Sequence, residues 1–381
     1  MNLLHEWPLV LFTLTVQLAV GLHLALLAVG ALPRARSGAL VAGFPGSLSG
    51  AQDSSGVGAE DPARSGAEGP SRAGAEDPSG VGAEDSARSG GQDSFGVGGL
   101  RGRPFLLVGV LMAGALALSL LHLGTPLNAL RTLANLDESW LSREILAALV
   151  FLALWALDFF WVRRRRGAAA PEPSDPEPSD PEPGSSSGPA PGVSRVLAWA
   201  TALAGVVLVG VMARIYMVPA RPLWDHWLTA AGFFLTTLLL GAVVAAAHVA
   251  RRPRPEIPAQ TGASPIGQAA SPAGLSPAGA ALLALAVTVA LAQMAATLAH
   301  PLTLEVAAGA QGTPLVALRL LLLLAGAFLL VIPLAASAFP GLSSAGAGRP
   351  GPWVVAALLL LGGSELLGRM LFYAAGTAIP F

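Results

Sequence analysis

The 381-residue sequence contains no cysteine and no lysine. Without cysteine, the protein cannot form disulfides, and it cannot hold an iron–sulfur cluster or a thiolate metal site. Any redox cofactor must therefore bind without a covalent link to a thiol, or must belong to a partner. The formal net charge of −1 gives no basic surface that would attract nucleic acid, so no nucleic-acid partner is expected.

Charged residues make up only 12% of the sequence, whereas 53% of its residues are hydrophobic and the mean hydropathy is +0.63. This composition predicts a polytopic protein of the lipid bilayer, because it is too apolar for an ordinary soluble domain. About 20 apolar residues are needed to cross the hydrocarbon core as a helix. The sequence predicts an all-α integral membrane fold, a bundle of eight transmembrane helices at 8–31, 104–122, 144–162, 195–215, 229–250, 278–298, 315–336 and 353–375.

The arginines predict the orientation of this bundle. Residues 1–7 contain a glutamate and no arginine, whereas Arg34 and Arg36 follow the first apolar run. This polarity is opposite to that of a signal peptide, so the first helix is predicted to be retained. Arginine clusters at 163–166 and 251–254 follow the third and fifth runs. Because positive charge concentrates in cytoplasmic loops, both termini are predicted on the outer, periplasmic side of the inner (cytoplasmic) membrane.

Three connections between the runs have a strongly biased composition. Residues 59–90 repeat an eight-residue unit of the type AEDPARSG, which is rich in Ala, Gly, Ser and Pro. Such segments bury too little apolar surface to fold. They are interpreted as tolerated loop expansions rather than docking tails, because disordered insertions cost little loop-closure entropy. The protein is thus predicted to be one transmembrane domain, 1–381, with disordered cytoplasmic loops at 37–100, 167–194 and 252–277.

The ionisable residues of the predicted spans concentrate toward the outer side, and two of them flank one short connection. His122 closes the second apolar run, and Glu144 opens the third. Both are predicted to lie at the same interface on adjacent helix ends. Ionisable groups are rare in membrane spans and usually functional there, so His122 and Glu144 are the predicted catalytic residues. A structural role is the alternative, in which His122 caps one helix and Glu144 stabilises the N-terminus of the next.

A histidine beside a half-buried carboxylate can accept protons near neutral pH. A quinol has two hydroxyls to be deprotonated during oxidation, and an apolar ring that suits a pocket between helices. A haem b site is the rival, but it needs two imidazoles at matched depth within facing helices. The four histidines that could pair, namely His122 with His300 and His23 with His248, are all predicted near helix ends, which disfavours haem.

A transporter or a purely structural anchor is the other alternative. Transporters usually bind their substrates near the midplane, between repeated halves. Here the polar residues concentrate at one interface, and no repeat between the halves is apparent in the sequence. This distribution favours quinol chemistry over transport.

Other polar residues at the predicted outer side have several interpretations. Glu365 and Arg369 are four residues apart, which is the spacing of a helical ion pair. Arg319 can extend to the lipid headgroups, and Arg214 has Tyr216 as a hydrogen-bonding neighbour. The predicted cofactor-binding residues are His122, Glu144, Arg143, Arg214, Tyr216 and Arg319.

Several short motifs resemble the membrane anchor subunit family of dimethyl sulfoxide reductase. They are distributed over nearly the whole sequence outside the biased loops. The motifs are HEWPL at 5–9, LHLGTPLNAL at 121–130, SREI at 142–145, ARIY at 213–216, GFFLT at 232–236, LRL at 318–320 and SELLGRMLFY at 364–373.

This resemblance implies a function. Members of the family have eight helices with both ends outside, and they anchor an iron–sulfur electron-transfer subunit and a molybdopterin catalytic subunit. They oxidise menaquinol, hold no haem, and pass electrons to the iron–sulfur partner. By this resemblance His122 is the menaquinol-site histidine and Glu144 its partner carboxylate, with Arg143 altering the local charge. The terminal electron acceptor would be selected by the catalytic subunit.

Overall fold

A computed structural model describes seven segments of the protein. The predicted loop 37–100 lies outside them, as do residues 169–191 of the second predicted loop and 252–274 of the third. The described residues are 7–31, 102–122, 135–168, 192–250, 275–308, 312–339 and 351–377.

Helices occupy nearly all of the described residues. Eight of them are long, and one short helix, α7, follows α6 directly. In order along the sequence they are α1 (Trp7–Ala31), α2 (Arg103–His122), α3 (Trp140–Ala168), α4 (Gly192–Tyr216), α5 (Trp227–Ala250), α6 (Pro277–Ala299), α7 (Pro301–Ala308), α8 (Gly312–Ala338) and α9 (Gly351–Thr377).

The eight long helices confirm the prediction of an all-helical, multi-pass membrane protein. Each contains a stretch long and apolar enough to cross a bilayer, with a mean hydropathy between 1.7 and 2.8. Large apolar side chains such as Leu203, Phe328 and Leu359 are about two-thirds exposed on the outside of the bundle, 66%, 65% and 72% respectively. In a membrane these side chains face lipid, which explains an exposure that would be costly in water.

Helix extends further than predicted at several positions, because hydropathy detects only the part of a helix that lipid surrounds. Helix α3 begins at Trp140 rather than at Glu144, and it continues through the arginine cluster to Ala168. The predicted disordered loop 167–194 is therefore helical at both margins, since α4 begins at Gly192. At the end of the third loop, Ser276 caps α6 by accepting a hydrogen bond from the backbone of Gly279 at 3.1 Å.

The long helices form two rings of four. In ring one, α1 contacts α2, α2 contacts α3, α3 contacts α4, and α4 returns to α1. In ring two, α5, α6, α8 and α9 contact one another in the same cyclic order. The rings join mainly through α1, which packs along α5 and also contacts α9, and through a smaller contact between α4 and α5. The sequence shows no repeat between the halves, yet both halves follow the same helix order.

Two glycines allow α1 and α5 to approach closely. A Cβ atom at Gly21 would collide with the backbone carbonyl of Thr237, and one at Gly241 would collide with the backbone of Gly21. Small residues permit this backbone contact in membrane helix pairs. One helical turn before Gly21, the Gln17 amide donates a hydrogen bond to the carbonyl oxygen of Phe233 at 3.2 Å. The contacts advance in the same direction on both helices, so α1 and α5 run parallel.

The end of the bundle where α1, α3, α5 and α8 begin is called the polar end. Helices α2, α4, α6 and α9 finish there, as shown by the hydrogen bond between the Tyr216 hydroxyl of α4 and the Tyr373 hydroxyl of α9 at 2.8 Å. Toward the opposite end, ring one has its own polar contacts. His23, predicted near a helix end, is instead buried within α1 against the carbonyl oxygen of Ala198 at 3.1 Å.

The glycine contact predicts the effect of one added methyl group. Gly21→Ala places a Cβ atom against backbone of α5, which cannot move aside as a flexible side chain would, so the free energy of unfolding should fall by about 1–3 kcal/mol. Gly30→Ala on the same helix meets nothing within 4 Å and serves as the matched control. Thermal unfolding in detergent measures both variants. Equal melting temperatures for the two would show that the close approach is not required.

Candidate functional site

A buried series of polar side chains crosses from ring one to ring two near the polar end. Gln17 of α1 accepts a hydrogen bond from the guanidinium of Arg369 on α9 at 3.0 Å. The Arg369 guanidinium also lies 3.6 Å from the centre of the Phe233 ring, a cation–π contact that supports a charge inside an apolar bundle. The amide of Gln17 therefore links α1, α5 and α9 through its two polar atoms.

Glu365 is 1% exposed and lies one helical turn before Arg369. Its Oε2 atom accepts hydrogen bonds from the Thr236 hydroxyl at 2.6 Å and from the Gln293 amide at 3.3 Å. The expected ion pair within α9 is thus replaced by hydrogen bonds to other helices. Glu365 binds α5 and α6, and Arg369 binds α1, while the two charges still act on each other.

A cavity of about 70 Å³ adjoins this group between the helices of ring two. Its polar lining comes from α5, α6, α8 and α9, together with His300 at the end of α6 and Thr303 of α7. Three buried atoms in this lining have no hydrogen-bond partner among the described residues. They are Oε1 of Gln293, Nε of Arg319 and Oε1 of Glu365.

His300 lies where the cavity approaches the polar end. It follows the last residue of α6 with an extended backbone, φ −74° and ψ 126°, and its Nε2 is 3.2 Å from the Thr229 hydroxyl. The His226 ring lies 5.7 Å away. Burial, followed by the charges of His226 and Arg319, lowers the pKa of His300 from 6.5 to about 4. The imidazole is therefore neutral at pH 7.

Glu144, a predicted catalytic residue, is 5% exposed one turn inside α3. No hydrogen bond reaches its carboxylate from the residues that the structure describes. It lies near enough to Tyr216 and Tyr373 to interact electrostatically with both hydroxyls. The other predicted catalytic residue, His122, is the last residue of α2, and its side chain lies outside the described part of the protein. Helices α2 and α3 are in contact; that His122 and Glu144 lie side by side stays a prediction.

The remaining predicted cofactor-binding residues divide into two groups. Arg143 and Arg214 both stand over the Trp140 ring, at 4.3 and 5.2 Å from its centre. Arg143 also donates to the carbonyl oxygens of Leu136 and Asp137 at 2.8 and 2.7 Å. Tyr216 pairs with Tyr373, next to Glu144. Arg319 instead lines the cavity of ring two.

Gln17, Gln293 and Tyr373 were not predicted as site residues from the sequence. A signal was nevertheless present for the two glutamines. Each is the only glutamine in its apolar run, and polar side chains in membrane helices commonly form hydrogen bonds between helices. Tyr373 gave a weaker signal, because a tyrosine near a helix end is usually explained by the aromatic belt.

Comparison with known proteins identifies relatives. The model of a family described as DMSO (dimethyl sulfoxide) reductase anchor subunit (DmsC) matches residues 102–164 and 190–375. The C subunit of anaerobic dimethyl sulfoxide reductase from Haemophilus influenzae is 29% identical over 137 residues, 36% of the present sequence and 41% of that protein. The YnfH subunit of anaerobic dimethyl sulfoxide reductase from Escherichia coli strain K12 is 32% identical over 148 residues, 39% of the present sequence and 44% of that protein. The matched part thus spans less than half of these curated relatives. No solved structure gives a significant match.

The pKa of His300 predicts a pH effect on stability. Between about pH 6.5 and 4 the unfolded protein binds a proton at this residue and the folded protein does not, so stability falls as the pH is lowered through this window. His300→Gln keeps a polar partner for Thr229 but removes the titration, so its melting temperature should fall less than that of the unmodified protein between pH 7 and pH 5. An equal fall in both proteins would contradict this assignment.

Proposed function

Because the protein belongs to the DMSO reductase anchor subunit family, we propose that it is the membrane anchor of a molybdoenzyme complex and that it oxidises menaquinol. The family match covers all or nearly all of each described helix from α2 to α9, but not α1. The proposed partners are an iron–sulfur electron-transfer subunit and a molybdopterin catalytic subunit. Since the anchor has no cysteine, the clusters that accept the electrons belong to the iron–sulfur partner.

The buried carboxyl of Glu144 is the observation that best supports quinol binding. A buried carboxylate normally receives hydrogen bonds, because leaving it without them costs free energy. Among the described residues Glu144 receives none, although it is only 5% exposed. A quinol hydroxyl is a donor of the required kind, and α2, which ends at His122, contacts α3. The residues present therefore fit a quinol headgroup between α2 and α3.

In this proposal the quinol binds between the end of α2 and the start of α3, called the quinol corner, and each side chain there has a separate role in its oxidation. Oxidation of a quinol to a quinone releases two protons and two electrons. Glu144 accepts a hydrogen bond from one hydroxyl and then its proton, and His122 does the same at the other hydroxyl. The bonded pair Tyr216 and Tyr373 holds the wall beside Glu144 in place. Arg143, the residue before Glu144, adds a positive charge at the same end of α3, where it contacts the carbonyl oxygens of Leu136 and Asp137.

The polar end is proposed to face the periplasm from the inner membrane. The arginine-rich connections belong to the opposite end, as the positive-inside tendency requires for the cytoplasmic side. Menaquinol enters laterally from the outer leaflet. Its protons and electrons both leave at the outer face, toward the solvent and the iron–sulfur partner respectively. Quinol oxidation at this site therefore moves no net charge across the membrane.

Glu144→Gln tests the proposed acceptor. The amide keeps the volume but cannot take a proton, so quinol-dependent turnover of the assembled complex should fall about 100-fold or more. Quenching of a fluorescent quinol-site inhibitor by membranes containing the complex should weaken in the same variant. Glu138→Gln, at an exposed residue of the same end, is the matched control and should retain both properties. Full turnover in Glu144→Gln, with the complex assembled, would remove Glu144 from the mechanism.

The orientation is tested separately with reporter fusions. Alkaline phosphatase fused after Phe381 should be active, because that enzyme matures only in the oxidising periplasm. The same enzyme inserted between α5 and α6 should be inactive, because that connection is assigned to the cytoplasm. The opposite pattern would invert the bundle without changing its internal structure.

A further inference from the structure

The ring-two cavity has polar atoms whose hydrogen-bonding capacity the described residues leave unused. Gln293 and Glu365 bind each other through Nε2 and Oε2, while the Oε1 atom of each has no partner. The Nε of Arg319 is likewise without a partner among the described residues. All three side chains line the cavity. Two acceptors and one donor, on three side chains that line one cavity, match a ligand that both donates and accepts hydrogen bonds.

The size of the cavity decides which ligand fits. An engineered apolar cavity of about 150 Å³ binds benzene, and one water molecule occupies about 30 Å³. At about 70 Å³ the cavity is about half the size of one that binds a single aromatic ring. It has room for about two water molecules. Buried waters typically make about three hydrogen bonds to polar groups that would otherwise lack partners, which matches the lining described here.

We propose that this cavity is an aqueous inlet, in which water held by Gln293, Arg319 and Glu365 connects the interior of ring two with solvent at the polar end. The route passes Thr303 and His300, which line the same cavity where α6 ends and α7 begins. Water in the inlet supplies the hydrogen bonds that the three orphaned atoms lack. The inlet is separate from the quinol corner, and its existence does not depend on quinol oxidation.

The charge of the lining determines what enters the inlet. Arg319 and Arg369 contribute two positive charges, Glu365 contributes one negative charge, and His300 is neutral at pH 7 because its pKa lies near 4. The result is a formal charge of +1 beside the cavity. Positive charge in a narrow, low-dielectric passage opposes the entry of small cations. The inlet thus hydrates a charged group inside the membrane without conducting cations.

Hydroxyl-radical footprinting of the full-length protein in lipid nanodiscs tests the inlet. Radicals produced by X-ray radiolysis of water oxidise side chains that lie beside water, and mass spectrometry measures the oxidation. Phe233 lines the cavity, whereas Phe151 is equally buried in ring one, at 1% and 0% exposure. Phe328 faces lipid. Phe233 should be oxidised at least fivefold faster than either control. Oxidation of Phe233 no faster than that of Phe151 would overturn the proposal.

Neighbouring alanines on α6 provide a second measurement. Ala296 lines the cavity, whereas Ala295 is exposed on the outside of the bundle. Ala296→Leu fills the void and should reduce oxidation of Phe233 to the level of Phe151, while Ala295→Leu should leave it unchanged. If both variants leave oxidation of Phe233 unchanged, water reaches it by another path and the inlet is excluded. The comparison within the unmodified protein needs no variant, so it decides the question even if Ala296→Leu does not fold.

Discussion

The contact between α1 and α5 holds the two rings together, and the buried polar groups depend on it. Without side chains at Gly21 and Gly241, the two helix backbones approach closely enough for Gln17 to reach the carbonyl of Phe233. The other polar atom of the Gln17 side chain then receives Arg369. In lipid, where water offers no alternative partner, such hydrogen bonds specify which helices are adjacent. A wider spacing between α1 and α5 would leave a charged guanidinium without its acceptor.

The rings differ in how they accommodate charge. In ring one, the carboxylate of Glu144 lies near two tyrosine hydroxyls and has no hydrogen-bond donor among the described residues. In ring two, Glu365 has two donors, two nearby arginines and a polar cavity. The first environment leaves a carboxyl available to a ligand that brings its own hydroxyl. The second satisfies most of the carboxyl and leaves space for small polar molecules. A buried glutamate therefore has a different proposed role in each ring, because its surroundings differ.

The eight spans could be predicted from the sequence because a helix surrounded by lipid is apolar along most of its length. That His122 and Glu144 occupy adjacent helix ends stays a prediction, made because each marks the boundary of an apolar run beside a short connection. The partners of Arg369 could not be predicted from the sequence, because the position of a residue along an apolar run gives its depth in the membrane and not the helix that it faces. For the same reason Arg319 was grouped with the predicted quinol-binding residues at the polar end. Only the packing of α8 reveals that Arg319 lines a cavity. The short helix α7 had a detectable signal in Pro301, its first residue.

The long-range bonds of α1 have a consequence for biogenesis. Helix α1 leaves the ribosome before the other described helices, and it holds Gln17, whose two partners are 216 and 352 residues further along the sequence. During synthesis the side-chain NH2 group of Gln17 therefore lacks its partner until α5 is inserted. The side-chain oxygen of Gln17 lacks its partner until α9 is inserted. Closure of the bundle is thereby postponed until α9 has been translated. A product truncated before α9 would keep seven of the described apolar spans yet lack the arginine that completes them, which marks it as unfinished for membrane quality control.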